Sequence, residues 1–317
     1  MIIKLLRLQN HKNLHLHRDE NHILFRCLFL VIPVFLVFCS ACAGSGTPPS
    51  PANSTNAHNP PPPNPDNLSN PPSSLAGIQE KGVIVIGTAL TQPFEYRDPE
   101  TGHLIGMDVD IAESIAQELG VKPQWVEMPF ANLLPALEEQ KIDITIAGMY
   151  ITQERESIVD FSQPYLMTGL VMATHPDLSS QIHSTNDLAG LNVGVKIGAT
   201  GESFAQDLIQ HGISINIIQY KNTLDSLLDL EVGRVDIVFN DYLNTLYYIK
   251  DNQSNISIVK DINQEVVFLS HASLGIAVNK QNQALLNEIN RLLTEMEADG
   301  STQAYYTKWL LPANQEN

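Results

Sequence analysis

Arg155 carries the most pointed chemistry in this sequence. It closes Thr152-Gln153-Glu154-Arg155, just past a β-branched run (Ile142, Ile144, Thr145, Ile146) that ends at Ala147-Gly148. Thr152 can cap a new helix, which sets Arg155 in that helix's first turn. A cation there faces the positive end of the helix dipole, so the position calls for an anion. A planar guanidinium beside free backbone N–H groups matches a carboxylate, which it grips in two parallel hydrogen bonds. That carboxylate belongs either to a ligand or to a neighbouring Asp or Glu, and these residues alone leave both readings open. Asp241, at the head of the helical stretch Tyr242 to Lys250, can cap that helix and bind a cation at once. The ten histidines show no metal-ligand spacing, so no metal site and no cofactor is expected.

Those two charges need elements to hold them. Val83 to Ile86 is a short buried strand, and Ile111, Ala112, Ile115, Ala116 and Leu119 mark a helix over Val109 to Leu119, stopped by Gly120 and Pro123. Trp125 to Glu127 is a strand, Leu133 to Gln140 a helix and Ile142 to Ala147 a strand. The pattern then restarts: strand Asn192 to Lys196, a helix through Leu208, strand Ile215 to Gln219, helix Leu224 to Leu230 and strand Asp236 to Phe239. Alternation of this kind predicts α/β sheets flanked by helices. In such sheets the binding crevice lies beyond the carboxyl ends of the strands, where helix N-termini converge. Gly148, Tyr150 and Arg155 follow one strand end, Gly198 to Gly201 a second, and Asn240 and Asp241 a third. A last helix, Gln283 to Asp299, ends at Gly300. Trp125 and Trp309 read as core residues.

The first 75 residues have a different character. Met1 to Arg26 is basic, and Leu28 to Phe38 is an apolar block too short to span a bilayer comfortably. Small residues Ser40-Ala41 then precede Cys42, which fits a signal peptide processed at Ala41; an uncleaved membrane anchor is the other reading. All three cysteines (Cys27, Cys39, Cys42) lie in this segment, so the folded region can hold neither a disulfide nor a thiolate metal site. Ala43 to Ser74 is rich in Pro, Asn, Ser and Gly and is expected to be a disordered spacer. The 317 residues carry a net charge of −17 at neutral pH. Processing at Ala41 strips five basic residues (Lys4, Arg7, Lys12, Arg18, Arg26) against two acids (Asp19, Glu20), leaving a still more acidic body. Such a surface argues against nucleic acid as a partner.

Several longer motifs run through the folded part. They are Q-P-F-E-Y at Gln92 to Tyr96, G-M-D-V-D-I-A at Gly106 to Ala112, L-L-P-A-L-E at Leu133 to Glu138, A-G-M-Y-I-T-Q-E-R at Ala147 to Arg155 and V-D-F-S-Q-P-Y at Val159 to Tyr165. The second half adds D-L-A-G-L-N-V-G-V at Asp187 to Val195, G-A-T-G-E at Gly198 to Glu202, G-R-V-D-I-V-F-N-D at Gly233 to Asp241 and L-G-I-A-V at Leu274 to Val278. In this order they make the chain, from about Gly82 to Trp309, resemble the amino-acid-binding members of the bacterial extracellular solute-binding proteins of family 3, the receptors of ABC importers.

The resemblance implies a two-lobed periplasmic-binding-protein fold, each lobe a mostly parallel sheet flanked by helices, joined by two hinge strands near 165–171 and 267–272. By it, 1–41 is a lipoprotein signal peptide, 42–75 a lipidated Cys42 with its spacer, 76–168 plus 271–317 the first lobe and 169–270 the second. The pattern Cys39-Ser40-Ala41-Cys42-Ala43 resembles a lipobox, with Cys39 where leucine is usual. The protein would then be a monomer outside the cytoplasm, lipid-anchored to the membrane and working with an ABC permease. Arg155 would hold the α-carboxylate of a free amino acid with help from backbone N–H groups at Tyr150 and Thr200. Asp241 and the Gly148 carbonyl would hold the α-ammonium.

Phe130 stands where the family places an aromatic wall, although plain core is an equal reading. Tyr150 replaces the usual Thr or Ser at the ammonium, and Thr91 replaces an aromatic that stacks on the ligand side chain. Thr88 brings no carboxylate to the side-chain end, whereas Lys196 brings a cation, which favours polar neutral or acidic amino acids; His175, His183 or Glu202 lining the pocket would reverse this. The same fold includes periplasmic dehydratases of cyclohexadienyl acids, and a ligand-sensing lobe is a further possibility. No enzyme is expected, because no Glu or His stands where dehydration needs an acid.

Overall fold

The computed structural model describes residues 74–310, which all fall within one compact unit. The signal segment, Cys42 and the spacer up to residue 73 lie outside the described residues. Helix α1 (Leu75–Lys81), capped by the Ser74 side chain, leads into β1 (Val83–Thr88). A small flap of β2 (Tyr96–Arg97) and β3 (Leu104–Ile105) precedes α2 (Met107–Glu118), β4 (Lys122–Glu127), α3 (Leu133–Glu138), β5 (Ile144–Thr145), α4 (Gln153–Glu156) and β6 (Asp160–Phe161). The long strand β7 (Leu166–Thr174) then crosses to a second set: β8 (Asn192–Lys196), α5 (Thr200–Gln210), β9 (Asn216–Tyr220), α6 (Thr223–Glu231), β10 (Ile237–Asp241), α7 (Tyr242–Asp251) and β11 (Ser257–Ile258). β12 (Phe268–Leu274) crosses back to β13 (Ala277–Val278), α8 (Gln283–Ala298) and α9 (Ser301–Leu310).

Besides the two-stranded flap, two larger sheets result, one per lobe. The first has the order β4-β1-β5-β13-β6 and the second β11-β7-β10-β8-β9, with β12 also paired to β7. Each is parallel where consecutive strand–helix units supply it: β1 with β4 and β5, and β8 with β9 and β10. Each turns antiparallel where a crossing or returning strand joins, as β13 does against β5 and β7 against β10. The sheets are therefore more mixed than the strand–helix alternation alone suggests. β7 and β12 pair antiparallel from Leu166↔Leu274 to Val171↔Phe268, and they are the two segments that link the sheets.

The apolar positions of α2 fall where their helical spacing put them: Ile111, Ala112, Ile115 and Ala116 are fully buried. Strand Ile142 to Ala147 shortens to Ile144–Thr145, because only these residues ladder with β1 and β13 before Gly148 turns the chain at φ +56. Gly300 (φ +86) ends α8, but α9 starts at the next residue. α9 has no fully buried side chain, so its apolar signal is weak. Polar contacts fix it to α2: Trp309 Nε1 and Lys308 Nζ both donate to Asp110 Oδ2 at 2.7 Å, and Tyr305 Oη lies 2.8 Å from Ser114 Oγ.

Candidate functional site

The carboxyl ends of β5, β8 and β10 converge where the lobes meet. After β5, Thr152 caps α4 through a 3.3 Å bond from Arg155 N–H to its hydroxyl, so the side chain that starts the helix also fixes the arginine. The Arg155 side chain is buried, 8% exposed. Its Nη1 donates to the Tyr150 carbonyl (2.9 Å) and its Nη2 to the Gly198 carbonyl in the second lobe (3.1 Å). No described carboxylate lies within ion-pair distance of it. A guanidinium has five N–H donors, so donors remain for a planar anion. Burial lowers its pKa to about 10, which leaves it charged at neutral pH.

Phe130 packs against the two cations of the site, its ring centre 4.2 Å from Lys196 Nζ and 5.3 Å from Arg155 Cζ. Both contacts are cation–π arrangements, and the ring itself is buried. Next to it, Gly198 (φ +74) approaches so closely that a Cβ there would stand 2.8 Å from Ala131 Cβ. Only glycine allows the 196–199 loop of the second lobe to rest on the 130–132 turn of the first. Thr200 opens α5 just beyond, where backbone N–H groups have no partner within the helix. Tyr150 bridges Leu274 between two ladder bonds, Gly275 N to Met149 O and Ile151 N to Ser273 O. Its own N–H and carbonyl therefore turn away from β12, to the side where Arg155 lies.

Asp241 ends β10 and caps α7: its Oδ1 accepts the N–H groups of Leu243 (2.8 Å) and Asn244 (3.0 Å). Its Oδ2 accepts the hydroxyls of Tyr150 (2.7 Å) and Thr168 (2.8 Å). Burial raises its pKa and these four bonds oppose the rise. Lys196 Nζ lies 3.3 Å from Thr91 Oγ1, and burial pulls the ammonium down to about 8. Asn244 Nδ2 donates to the Gln92 carbonyl across the same seam. Thr88 ends β1 fully buried, its hydroxyl without a hydrogen-bond partner among the described residues. Arg155, Phe130, Tyr150, Thr91, Lys196 and Asp241 thus join one network across the seam, while the Gly148 N–H bonds Asp108 instead and Thr88 makes no polar side-chain contact to it. His175 caps a short turn, His183 bonds the Lys260 carbonyl, and Glu202 braces its own loop through Gly198 N (2.7 Å).

Two fully buried acids were not singled out by the sequence. Glu95 is fully buried, and neither of its carboxyl oxygens makes a hydrogen bond of normal geometry to a described residue. Burial raises its pKa well above the usual carboxylate range; Asp108 adds to this and Lys196 opposes it. Asp108 is also fully buried and ties the Gly148 turn to the hinge, accepting Gly148 N–H (2.7 Å) and Tyr165 Oη (2.9 Å). Both lie inside motifs visible in the sequence. The signal available was a lone acid set among apolar residues, in Pro93-Phe94-Glu95 and Met107-Asp108-Val109.

Burial pushes Asp108 up to about 6, against about 3.9 for an unfolded aspartate. The folded state therefore holds this proton more tightly than the unfolded one. Its contribution to stability is fully present below about pH 3.9 and is lost as pH rises through about 6. Glu95 acts in the same direction. Urea unfolding is expected to show about 1 to 2 kcal/mol lost from this group between pH 5 and pH 7. Asp108→Asn is expected to shrink that slope; an equal slope in the variant would contradict the assignment.

Comparison with known proteins places this arrangement. The family model for bacterial extracellular solute-binding proteins, family 3, matches residues 84–312. The chain is similar to the L-cystine-binding protein TcyJ of Escherichia coli (strain K12), 28% identical over 232 residues that cover 73% of this chain and 84% of that protein. It is similar to the solved structure of an ancestral arginine-binding protein bound to arginine, with 37% identity and a TM-score of 0.66, covering 72% of this chain and 98% of that one. It is also similar to the ancestral amino acid-binding protein AncCDT-1, a precursor of cyclohexadienyl dehydratase, with 32% identity, a TM-score of 0.68 and coverage of 74% and 99%.

Proposed function

The chain belongs to the bacterial extracellular solute-binding proteins of family 3, and from that premise we propose that it captures a free amino acid between its lobes and delivers it to the permease of an ABC importer. The observation that carries this reading is Arg155, a buried guanidinium at the lobe seam with unspent donors and no carboxylate among the described residues to pair with. A ligand α-carboxylate supplies the anion, held also by the N–H groups of Tyr150 and Thr200. Asp241 and the Gly148 carbonyl form the ammonium pole. Closure follows because one small guest contacts both lobes.

At the side-chain end, Lys196 and the buried Glu95 lie within electrostatic reach of each other. An ammonium beside a carboxyl group that burial disposes to keep its proton offers donors and an acceptor, which suit a neutral polar side chain such as an amide. With Glu95 beside Lys196, the preference among polar neutral and acidic amino acids narrows to polar neutral ligands. Thermal unfolding against the twenty amino acids tests the reading, because a ligand bound only by the native state raises the melting temperature. A shift with a few amino acids is expected, with glutamine bound at least tenfold more tightly than glutamate; no shift with any of the twenty would defeat the proposal.

Glu95 also bears on an enzymatic reading, since an acid of raised pKa is what a dehydratase requires. It is fully buried, so binding is the reading that the geometry supports better. No aromatic ultraviolet absorbance is expected to develop on incubation with a cyclohexadienyl carboxylate. The tether through Cys42 and the extracytoplasmic location rest on the sequence, and the mass of the mature N-terminus decides them.

A further inference from the structure

An ionised carboxylate offers about four acceptor positions, and Asp241 has all four engaged. Two go to the backbone of α7, at Leu243 and Asn244, and two to the hydroxyls of Tyr150 and Thr168. Neither hydroxyl is free to leave at little cost: Tyr150 is 5% exposed and packed in the core, and Thr168 is 8% exposed. Tyr150 reaches both poles of the site, since its carbonyl accepts Arg155 Nη1 while its phenol donates to Asp241.

We propose that Tyr150 is a specificity-determining residue, its hydroxyl holding Asp241 in the place of a ligand ammonium, so that the cleft accepts carboxylates lacking the α-ammonium nearly as well as α-amino acids. This rests on the proposed function, in which Arg155 is the carboxylate pole and Asp241 the ammonium pole. An incoming ammonium must displace a phenol O–H that already satisfies the same oxygen, so one hydrogen bond is exchanged for another and little is gained. A ligand without the ammonium leaves that bond intact and still meets Arg155. The same Tyr150–Asp241 bond also fastens the first lobe to the second, beside Arg155 to Gly198 and Lys196 to Thr91.

The test compares the full chain with its Tyr150→Phe and Tyr150→Thr variants, by titration with glutamine and with 4-carbamoylbutanoate, which lacks only the α-ammonium. Arginine and 5-guanidinopentanoate form a second pair. The wild-type protein is expected to favour the amino acid by less than about tenfold, and each variant to widen that ratio at least tenfold by releasing an acceptor on Asp241. Hydrogen exchange with no ligand added gives an independent readout: Tyr150→Phe is expected to raise exchange in Leu90–Gln92 and Asp241–Asn244, the segments facing each other across the seam. A wild-type ratio above a hundredfold that neither variant widens would overturn the proposal. If the wild-type protein bound no amino acid, the proposed function would fail on its own account. The exchange experiment would then decide the role of Tyr150, a difference supporting the fastening and equality overturning it.

Discussion

Replacement of Arg155 by alanine is expected to weaken binding of the preferred amino acid by more than about a hundredfold, which is roughly 3 kcal/mol. The loss has two sources. The ligand carboxylate would enter a water-poor seam without its counter-charge, and leaving one partner of a buried ion pair alone costs several kcal/mol. The carbonyls of Tyr150 and Gly198 would also lose their donors, so the lobes would lose a direct tie. Arg155→Lys separates the two sources. An ammonium keeps the charge but not the planar fork that serves two carbonyls and a carboxylate together, so a loss of at least about tenfold is expected from the lysine variant. Isothermal titration with the amino acid that gives the largest thermal shift measures both. Binding by the alanine variant within threefold of wild type would remove Arg155 from the site.

Arg155 also shows how far local sequence reasoning reaches. Its helix start was legible because a cap, a first turn and a preceding strand are local features, and the Thr152 bond reproduces them. The choice left open there, ligand or neighbouring acid, depended on residues more than forty positions away, such as Gly198. The same division runs through the rest of the molecule. Strand and helix alternation predicts the two sheets, yet it cannot show that β13 inserts between β5 and β6, because that neighbour comes from the far end of the chain. The capping role of Asp241 follows from its place before Tyr242, whereas its bond to Tyr150 spans 91 positions. Glu95 reads as one letter of a motif, and only burial beside Asp108 and Lys196 turns it into an electrostatic feature of the seam. α9 escaped because half-buried helices held by polar contacts leave little apolar periodicity to read.

Asp241→Ala is expected to cost more in folding than in ligand selectivity, and that contrast distinguishes a structural hub from a simple counter-ion. Removing the carboxylate deletes the cap of α7, worth about 1 kcal/mol. It also leaves the hydroxyls of Tyr150 and Thr168 buried without their acceptor, at about 1 to 3 kcal/mol each. The total expected from urea unfolding is roughly 3 to 7 kcal/mol, reduced if the seam admits water to the two hydroxyls. Asp241→Asn should be far milder, because its amide oxygen can still cap α7 while the two hydroxyls rotate to accept from its NH2 group. If Tyr150 stands in for the ligand ammonium, Asp241→Asn lowers affinity for glutamine and for 4-carbamoylbutanoate by similar factors. If instead the carboxylate contacts the ammonium directly, only glutamine binding falls. A selective loss of glutamine binding in the asparagine variant, with stability unchanged in the alanine variant, would reverse both parts of this account.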